Sequence, residues 1–240
     1  ATIPQLSGGH NQFFIDRNRE LSLCPGRDML WGEMPVKVKI CGITNVADAR
    51  AAAEAGADAI GLMFWEQSPR FVDLERAAEI SRVLPPYVLR TGVFVNASED
   101  LVLQAIASCG LNLLQFHGDE PPDFCGQFGL MSMKAFRVRD AASLEVLPSY
   151  QTEAWLLDAF TPGKLGGTGE SFNWDLAIEA AKWGRPFFLA GGLHAGNVAE
   201  AVRRVRPYGV DVSSGVESAP GKKDPEKVRA FVKAAREASL

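Results

Sequence analysis

From Val36 onward, short apolar runs recur along the chain, each followed by a stretch with helical spacing. The first run, VKVKICGI (36–43), alternates Val and Ile with Lys and leads into the Ala-rich NVADARAAAEAGA (45–57), closed by Gly56. AIGLMF (59–64) precedes DLERAAEISRVL (73–84), which stops before Pro85-Pro86. VLRTGVFV (88–95) precedes SEDLVLQAIASCG (98–110), where Ser98 is the expected N-cap. LNLLQFHG (111–118) precedes the short EPPDFCGQF (120–128), and SMKAFRV (132–138) precedes DAASLEVLP (140–148). AWLLDAF (154–160) leads through a Gly-rich loop to WDLAIEAAKW (174–183). PFFLAGGL (186–193) leads to NVAEAVRRVR (197–206), and GVDVSSGVE (209–217) to DPEKVRAFVKAAREA (224–238).

Eight strand–helix units in succession predict a parallel sheet, because parallel strands need a crossover between them. Near-continuous apolar strands fit a sheet covered on both faces. The fold class expected is α/β, a single-domain (β/α)8 TIM barrel over residues 36–240. An open doubly wound sheet is the alternative, but it needs GxGxxG after the first strand, and CGITNV lacks that pattern. Residues 1–35 show no steady period and carry several breakers. They are read as an N-terminal extension outside the barrel core, with Phe13, Phe14, Leu30 and Trp31 available to dock on it.

Composition narrows the function classes. The chain has 240 residues, 47% hydrophobic and 22% charged, as ordinary globular proteins do. A net charge of −4 favours neither nucleic acid nor an anionic membrane as partner. No apolar run reaches the length of a membrane span, and the first residues do not read as a signal peptide. The four cysteines, Cys24, Cys41, Cys109 and Cys125, form no CxxC pair or zinc-ligand spacing. Reduced thiols in a cytoplasmic protein are the simplest reading.

In a (β/α)8 barrel, chemistry sits at the C-terminal ends of the strands. The first run ends in Cys41, the second is followed by Arg70, and the fourth ends in Gln115, His117 and Gly118. The sixth ends in Asp158, the seventh in Gly191-Gly192, and the eighth supplies Asp211 and then Ser213-Ser214-Gly215. The last two loops predict a phosphate site. AGGL permits close backbone approach, and SSGVE offers N–H groups and hydroxyls at an expected helix start. Cys41 is either a core cysteine or, if its surroundings lower the thiol from its ordinary value of about 8.5, a base or nucleophile. Asp158 is either a structural carboxylate or a general acid whose burial preserves its proton. Arg70 is either a surface residue or a bidentate grip on a carboxylate. His117 reads equally well as a satisfied structural histidine. TPGKLGGTGESFNW is a lid or a plain surface loop, and it is not a Walker A sequence.

KICGIT, GLMFWEQSPRFV, LLQFHGDE, LLDAF, GGTGESFNW, FFLAGGL and VDVSSGVE, in this order, resemble phosphoribosylanthranilate isomerase of tryptophan biosynthesis over about residues 36–238. The resemblance implies an Amadori rearrangement of an aminoaldose phosphate to a 1-amino-1-deoxyketose, with no metal or organic cofactor. It implies Cys41 as general base and Asp158 as general acid. Arg70 would face the anthranilate carboxylate, and Gly191, Gly192, Ser213, Ser214 and Gly215 would hold the phosphate, with His117 and Asp211 among the substrate-binding residues. A small-molecule substrate and a monomer or homodimer are expected.

Two features depart from the family pattern. Residues 1–35 have no counterpart, and Asn173 stands where aspartate is common. Two related barrels share the fold and the phosphate site, the tryptophan synthase α subunit and indole-glycerol-phosphate synthase. The latter needs a lysine acid and paired glutamates. Lys39 is read as facing away from the barrel mouth, which leaves Lys134 as the candidate lysine. A dual-activity isomerase of the histidine pathway would pair two aspartates, one where Cys41 stands. A catalytically silent barrel that binds a sugar phosphate is the remaining alternative.

Overall fold

The computed structural model describes residues 34–159 and 174–239. The extension expected over residues 1–35, the lid reading of the strand-6 loop and the departure at Asn173 fall almost entirely outside the described residues.

Eight strands close into a parallel barrel in chain order. They are β1 (Lys37–Cys41), β2 (Ala59–Met63), β3 (Leu89–Phe94), β4 (Leu113–Phe116), β5 (Met131–Val138), β6 (Ala154–Ala159), β7 (Phe187–Leu189) and β8 (Gly209–Val212). The ring closes where β8 pairs with β1, with Lys37 opposite Gly209 and Lys39 opposite Asp211. Helices α1 (Val46–Glu54), α2 (Leu74–Arg82), α3 (Glu99–Cys109), α4 (Pro122–Gly126), α5 (Trp174–Ala180), α6 (Val198–Val205) and α7 (Pro225–Ala238) follow their strands. The parallel closed sheet and its helices are those that the alternation of runs predicts, and the open-sheet alternative is excluded.

Local chemistry sets the helix starts. The side chains of Asn45, Asp73, Ser98 and Asp224 each accept a backbone N–H of the first turn, which satisfies a donor with no partner inside the helix. Two elements differ from the sequence reading. Residues 140–148 form two 3-10 turns, Ala141–Leu144 and Leu147–Ser149, because Pro148 and a short apolar period cannot sustain a longer helix. The last run stops as a strand at Val212. It continues through a single 3-10 turn, Ser214–Val216, into a two-stranded hairpin of β9 (Glu217–Ala219) and β10 (Lys222–Lys223).

Alternation along the strands sorts side chains into two cores. Outward residues such as Ile40, Ile60, Leu114 and Leu157 pack with the helices. Inward residues Leu113, Met133, Ala135, Leu156 and Phe188 fill the barrel. The same parity corrects both lysine assignments. Lys39 is two residues from Cys41 and therefore shares its inward face, where it is fully buried and 2.9 Å from Asp211. Lys134 alternates with inward Met133 and Ala135 and points outward. Its Nζ donates to the Phe116 and Gly118 carbonyls and to Glu120 Oε2 at 3.0 Å. The Glu120 carboxylate also accepts the N–H groups of Asn96 and Gly118, so this buried pair ties the β4 loop to β5.

Removing one member of such a pair leaves a buried charge without its partner. Lys134→Met is expected to destabilise the fold by about 3–5 kcal/mol. Urea unfolding of the variant beside the parent protein measures the difference.

Candidate active site

One cavity at the C-terminal mouth of the barrel is lined by all ten candidate residues: Cys41, Arg70, His117, Asp158, Gly191, Gly192, Asp211, Ser213, Ser214 and Gly215. The barrel gathers them because each stands at or just past the end of a parallel strand. Met63, Trp65, Pro69 and Val95 add an apolar wall on the β2 and β3 side.

Cys41 ends β1 and is 7% exposed, so its sulfur is largely shielded yet opens to the cavity. Burial pushes the thiol above its ordinary range, and the nearby Lys39 and Lys223 ammonium groups pull it back only in part. A thiol already lowered toward neutrality, one reading of the sequence, is therefore not what the surroundings produce. Lys39 is held charged in the opposite sense. Burial disfavours its charge, but Asp211 and Cys41 outweigh that cost and raise it.

Asp158 is 6% exposed and stands at the end of β6. Its Oδ2 lies 3.4 Å from His117 Nε2, and His117 Nδ1 lies 2.9 Å from Gln115 Nε2. With the Gln115 amide donating to Nδ1, a neutral ring carries its proton on Nε2, facing Asp158. His117 thus has both nitrogens engaged and also lines the cavity, which joins the two readings of it. Gln115 Oε1 is buried with no hydrogen-bond partner among the described residues.

Arg70 is fixed by a fork. Its Nε and Nη2 each donate to Glu217 at 2.8 Å, and Lys223 Nζ reaches Glu217 Oε1 at 2.8 Å. Lys223 also donates to the Ser213 carbonyl. Charge-assisted bonds therefore join the loop after β2, the turn after β8 and the β9–β10 hairpin. Burial disfavours the Glu217 charge, but the Arg70 fork and Lys223 outweigh it and hold the carboxyl below its usual range. The hydrogen bond to Glu217 raises Arg70 in turn.

The β7 and β8 loops meet closely. Gly191 and Gly192 turn with φ of +85° and +66°, where a side chain would be strained. Asn197 clamps that turn, with Nδ2 donating to the Gly192 carbonyl and Oδ1 accepting the His194 N–H. A Cβ on Gly215 would stand 1.9 Å from the Leu193 carbonyl oxygen, so only glycine permits this approach. The expected helix start after β8 is one 3-10 turn. Backbone groups and hydroxyls, rather than a macrodipole, are what the turn offers.

The family model for N-(5'phosphoribosyl)anthranilate (PRA) isomerase matches residues 38–234. The chain belongs to this family. It is 54% identical over 203 residues to N-(5'-phosphoribosyl)anthranilate isomerase of Trichlorobacter lovleyi, which covers 85% of this chain and 99% of that one. It is 55% identical over 204 residues to the Citrifermentans bemidjiense isomerase, which covers 85% and 98%. The crystal structure of phosphoribosyl anthranilate isomerase from Thermotoga maritima superposes with a TM-score of 0.80 at 41% identity, covering 84% of this chain and 99% of that chain. A further isomerase structure, in complex with reduced 1-(o-carboxyphenylamino)-1-deoxyribulose 5-phosphate, superposes with a TM-score of 0.77 at 40% identity, covering 84% and 99%.

Phosphoribosylanthranilate isomerases are enzymes of tryptophan biosynthesis, and membership makes this chain an isomerase. Of three residues bonded to the candidates, the sequence reading misplaced Lys39 and passed over Glu217 and Lys223. Lys39 was legible, since i and i+2 share a strand face. Glu217 and Lys223 were not, because their bonds to Arg70 and Ser213 span elements that no local period connects.

Glu217 contributes stability that is present above its unfolded value of about 4.3 and is lost as pH falls through its lower folded value. Across that window Glu217→Gln is expected to flatten the dependence of unfolding free energy on pH. Urea titrations at a series of acidic pH values read the slope, and identical slopes in parent and variant contradict the assignment.

Proposed function

We propose that this chain catalyses the Amadori rearrangement of N-(5-phosphoribosyl)anthranilate to 1-(2-carboxyphenylamino)-1-deoxyribulose 5-phosphate, with Asp158 as general acid and Cys41 as general base. The observation that carries the reading is the meeting of a buried carboxyl from β6 and a buried thiol from β1 in one cavity, beside two glycine-rich loops. Asp158 donates its proton to the furanose ring oxygen. The C1′–O bond breaks as the anilino nitrogen lone pair forms an iminium ion. The iminium acidifies the C2′ hydrogen, and the Cys41 thiolate takes that proton as its bonding pair moves into C1′=C2′. The resulting enolamine gains a proton at C1′ and loses its enol proton, giving the ketone. Acid and base act on the two atoms that flank C1′, and no covalent bond to the enzyme forms.

The loops at Gly191-Gly192 and Ser213-Ser214-Gly215 take the phosphate in this reading, supported by their close approach and by the hydroxyls on the cavity wall. Arg70 spends its Nε and Nη2 on Glu217, so its Nη1 edge is the one that meets the anthranilate carboxylate. The apolar wall of Met63, Trp65 and Pro69 beside it suits the aromatic ring. The lysine-and-glutamate chemistry of an indole-glycerol-phosphate synthase finds no support. The described carboxylates of the cavity are Asp158 and Asp211, and Lys134 lies outside the barrel lumen.

Substrate generated in the cuvette from anthranilate and phosphoribosyl pyrophosphate by a phosphoribosyltransferase loses its fluorescence on isomerisation. Cys41→Ala and Asp158→Asn are each expected to lower turnover by about 10²–10⁴-fold while remaining folded. Near-parental turnover in either variant removes that residue from the mechanism. Binding of a phosphate-bearing product analogue with no turnover by the parent protein identifies a silent barrel instead.

The phosphate assignment has its own readout. Gly215→Ala must push the β7 and β8 loops apart. Calorimetry is expected to show at least tenfold weaker binding of the reduced product analogue, with circular dichroism showing the barrel retained. Unchanged affinity places the phosphate elsewhere.

A further inference from the structure

Lys39 is fully buried inside the barrel, one position below the mouth, in the chemical setting where an ammonium is most costly to hold. Its Nζ donates to Asp211 Oδ1 at 2.9 Å across the seam where β8 closes on β1, and it shares the inward face of β1 with Cys41, two residues further on. Cys41 and Lys39 converge on the bare Cα of Gly61 in β2. A Cβ there would stand 2.7 Å from Cys41 Sγ and 3.2 Å from Lys39 Nζ. The strand pairing, with Cys41 opposite Gly61 and Lys39 opposite Asp211, therefore places one sulfur and one cation side by side beneath the mouth.

We infer that Lys39 is a positioning residue for Cys41, the buried counter-cation that permits the sulfur to carry negative charge and so to accept the substrate proton. This rests on the proposed role of Cys41 as base. Among the described residues, four charged groups act on the sulfur. Lys39 lies on its own strand and Asp211 on β8. Lys223 comes from β10, and Arg70 from the loop after β2. Lys223 and Arg70 are both committed to Glu217, and Asp211 opposes the thiolate. Lys39 is the cation that meets the sulfur over Gly61 on the same strand face, and the Asp211 carboxylate keeps it charged. In the reaction the C2′ proton passes to sulfur and turns thiolate into thiol. Lys39 keeps its own proton throughout. Because burial pushes the thiol up, the active fraction grows as pH rises, and removing Lys39 moves that growth to still higher pH.

The test uses the full chain with Lys39→Met, and with Lys39→Met combined with Asp211→Asn so that no unpaired carboxylate is left behind. Iodoacetamide alkylation is followed against pH and quantified on the peptide that contains Cys41. Cys125, which burial pushes up to about 12, serves as an internal reference. The alkylation half-point is expected to rise by about 1–3 pH units in both variants. The corresponding loss in kcat/KM near neutrality is about 10–10³-fold and shrinks as pH is raised, which a purely structural defect would not do. An unmoved half-point in the double variant, or a loss of kcat/KM equal at every pH, overturns the inference. A raised half-point in variants of a protein that never turns over phosphoribosylanthranilate supports the coupling of Lys39 to Cys41 and removes the reaction instead.

Discussion

The pairing of β8 with β1 is the constraint on which the rest of the molecule depends. It closes the sheet, and closure divides every strand into residues that face the helices and residues that face the lumen. The register of that seam sets Lys39 opposite Asp211. A cation and an anion buried on adjacent strands compensate each other's desolvation only when the pairing is in register. The position of Cys41, two residues further along β1, follows from the same seam.

Above the seam, the mouth is tied together by a second set of charges. Arg70, Glu217 and Lys223 belong to three segments remote in sequence, and their bonds link the loop after β2 to the turn after β8 and its hairpin. A bidentate fork fixes the plane of the guanidinium as well as its position. Arg70 is thereby presented to the cavity on one edge. The wall that it forms is cross-linked by charged hydrogen bonds, although it is built from loops.

The acid and base candidates sit in contrasting surroundings. Asp158 faces a histidine whose other nitrogen is engaged by Gln115, a chain that runs along β4 and across to β6. Cys41 faces an ammonium from its own strand, in a pocket shaped by a glycine of the next. One fold thus offers a carboxyl with a hydrogen-bonding neighbour and a sulfur with a cationic one. That division of surroundings suits an enzyme that must give a proton on one side of a carbon and take one on the other.

The strand–helix alternation, the barrel class and the ends of the strands were all legible in the chain, because periods of two and 3.6 residues are local properties. The motifs at those ends also named the family. Element lengths were less legible. The 3-10 turns over 140–148 and the hairpin after Val212 arise from proline placement and from contacts with distant segments. Lys39 and Lys134 were misassigned although parity along each strand held the answer, since Lys39 shares the face of Cys41 and Lys134 alternates with Met133 and Ala135. What the chain could not disclose by itself is which charges neutralise which. Asp211 meets Lys39, Glu217 meets Arg70, and Glu120 meets Lys134 only after the barrel has closed. Local sequence determined the fold and the types of group at its mouth. Tertiary structure alone decided their partners, because electrostatic compensation acts through distance in space and not through position along the chain.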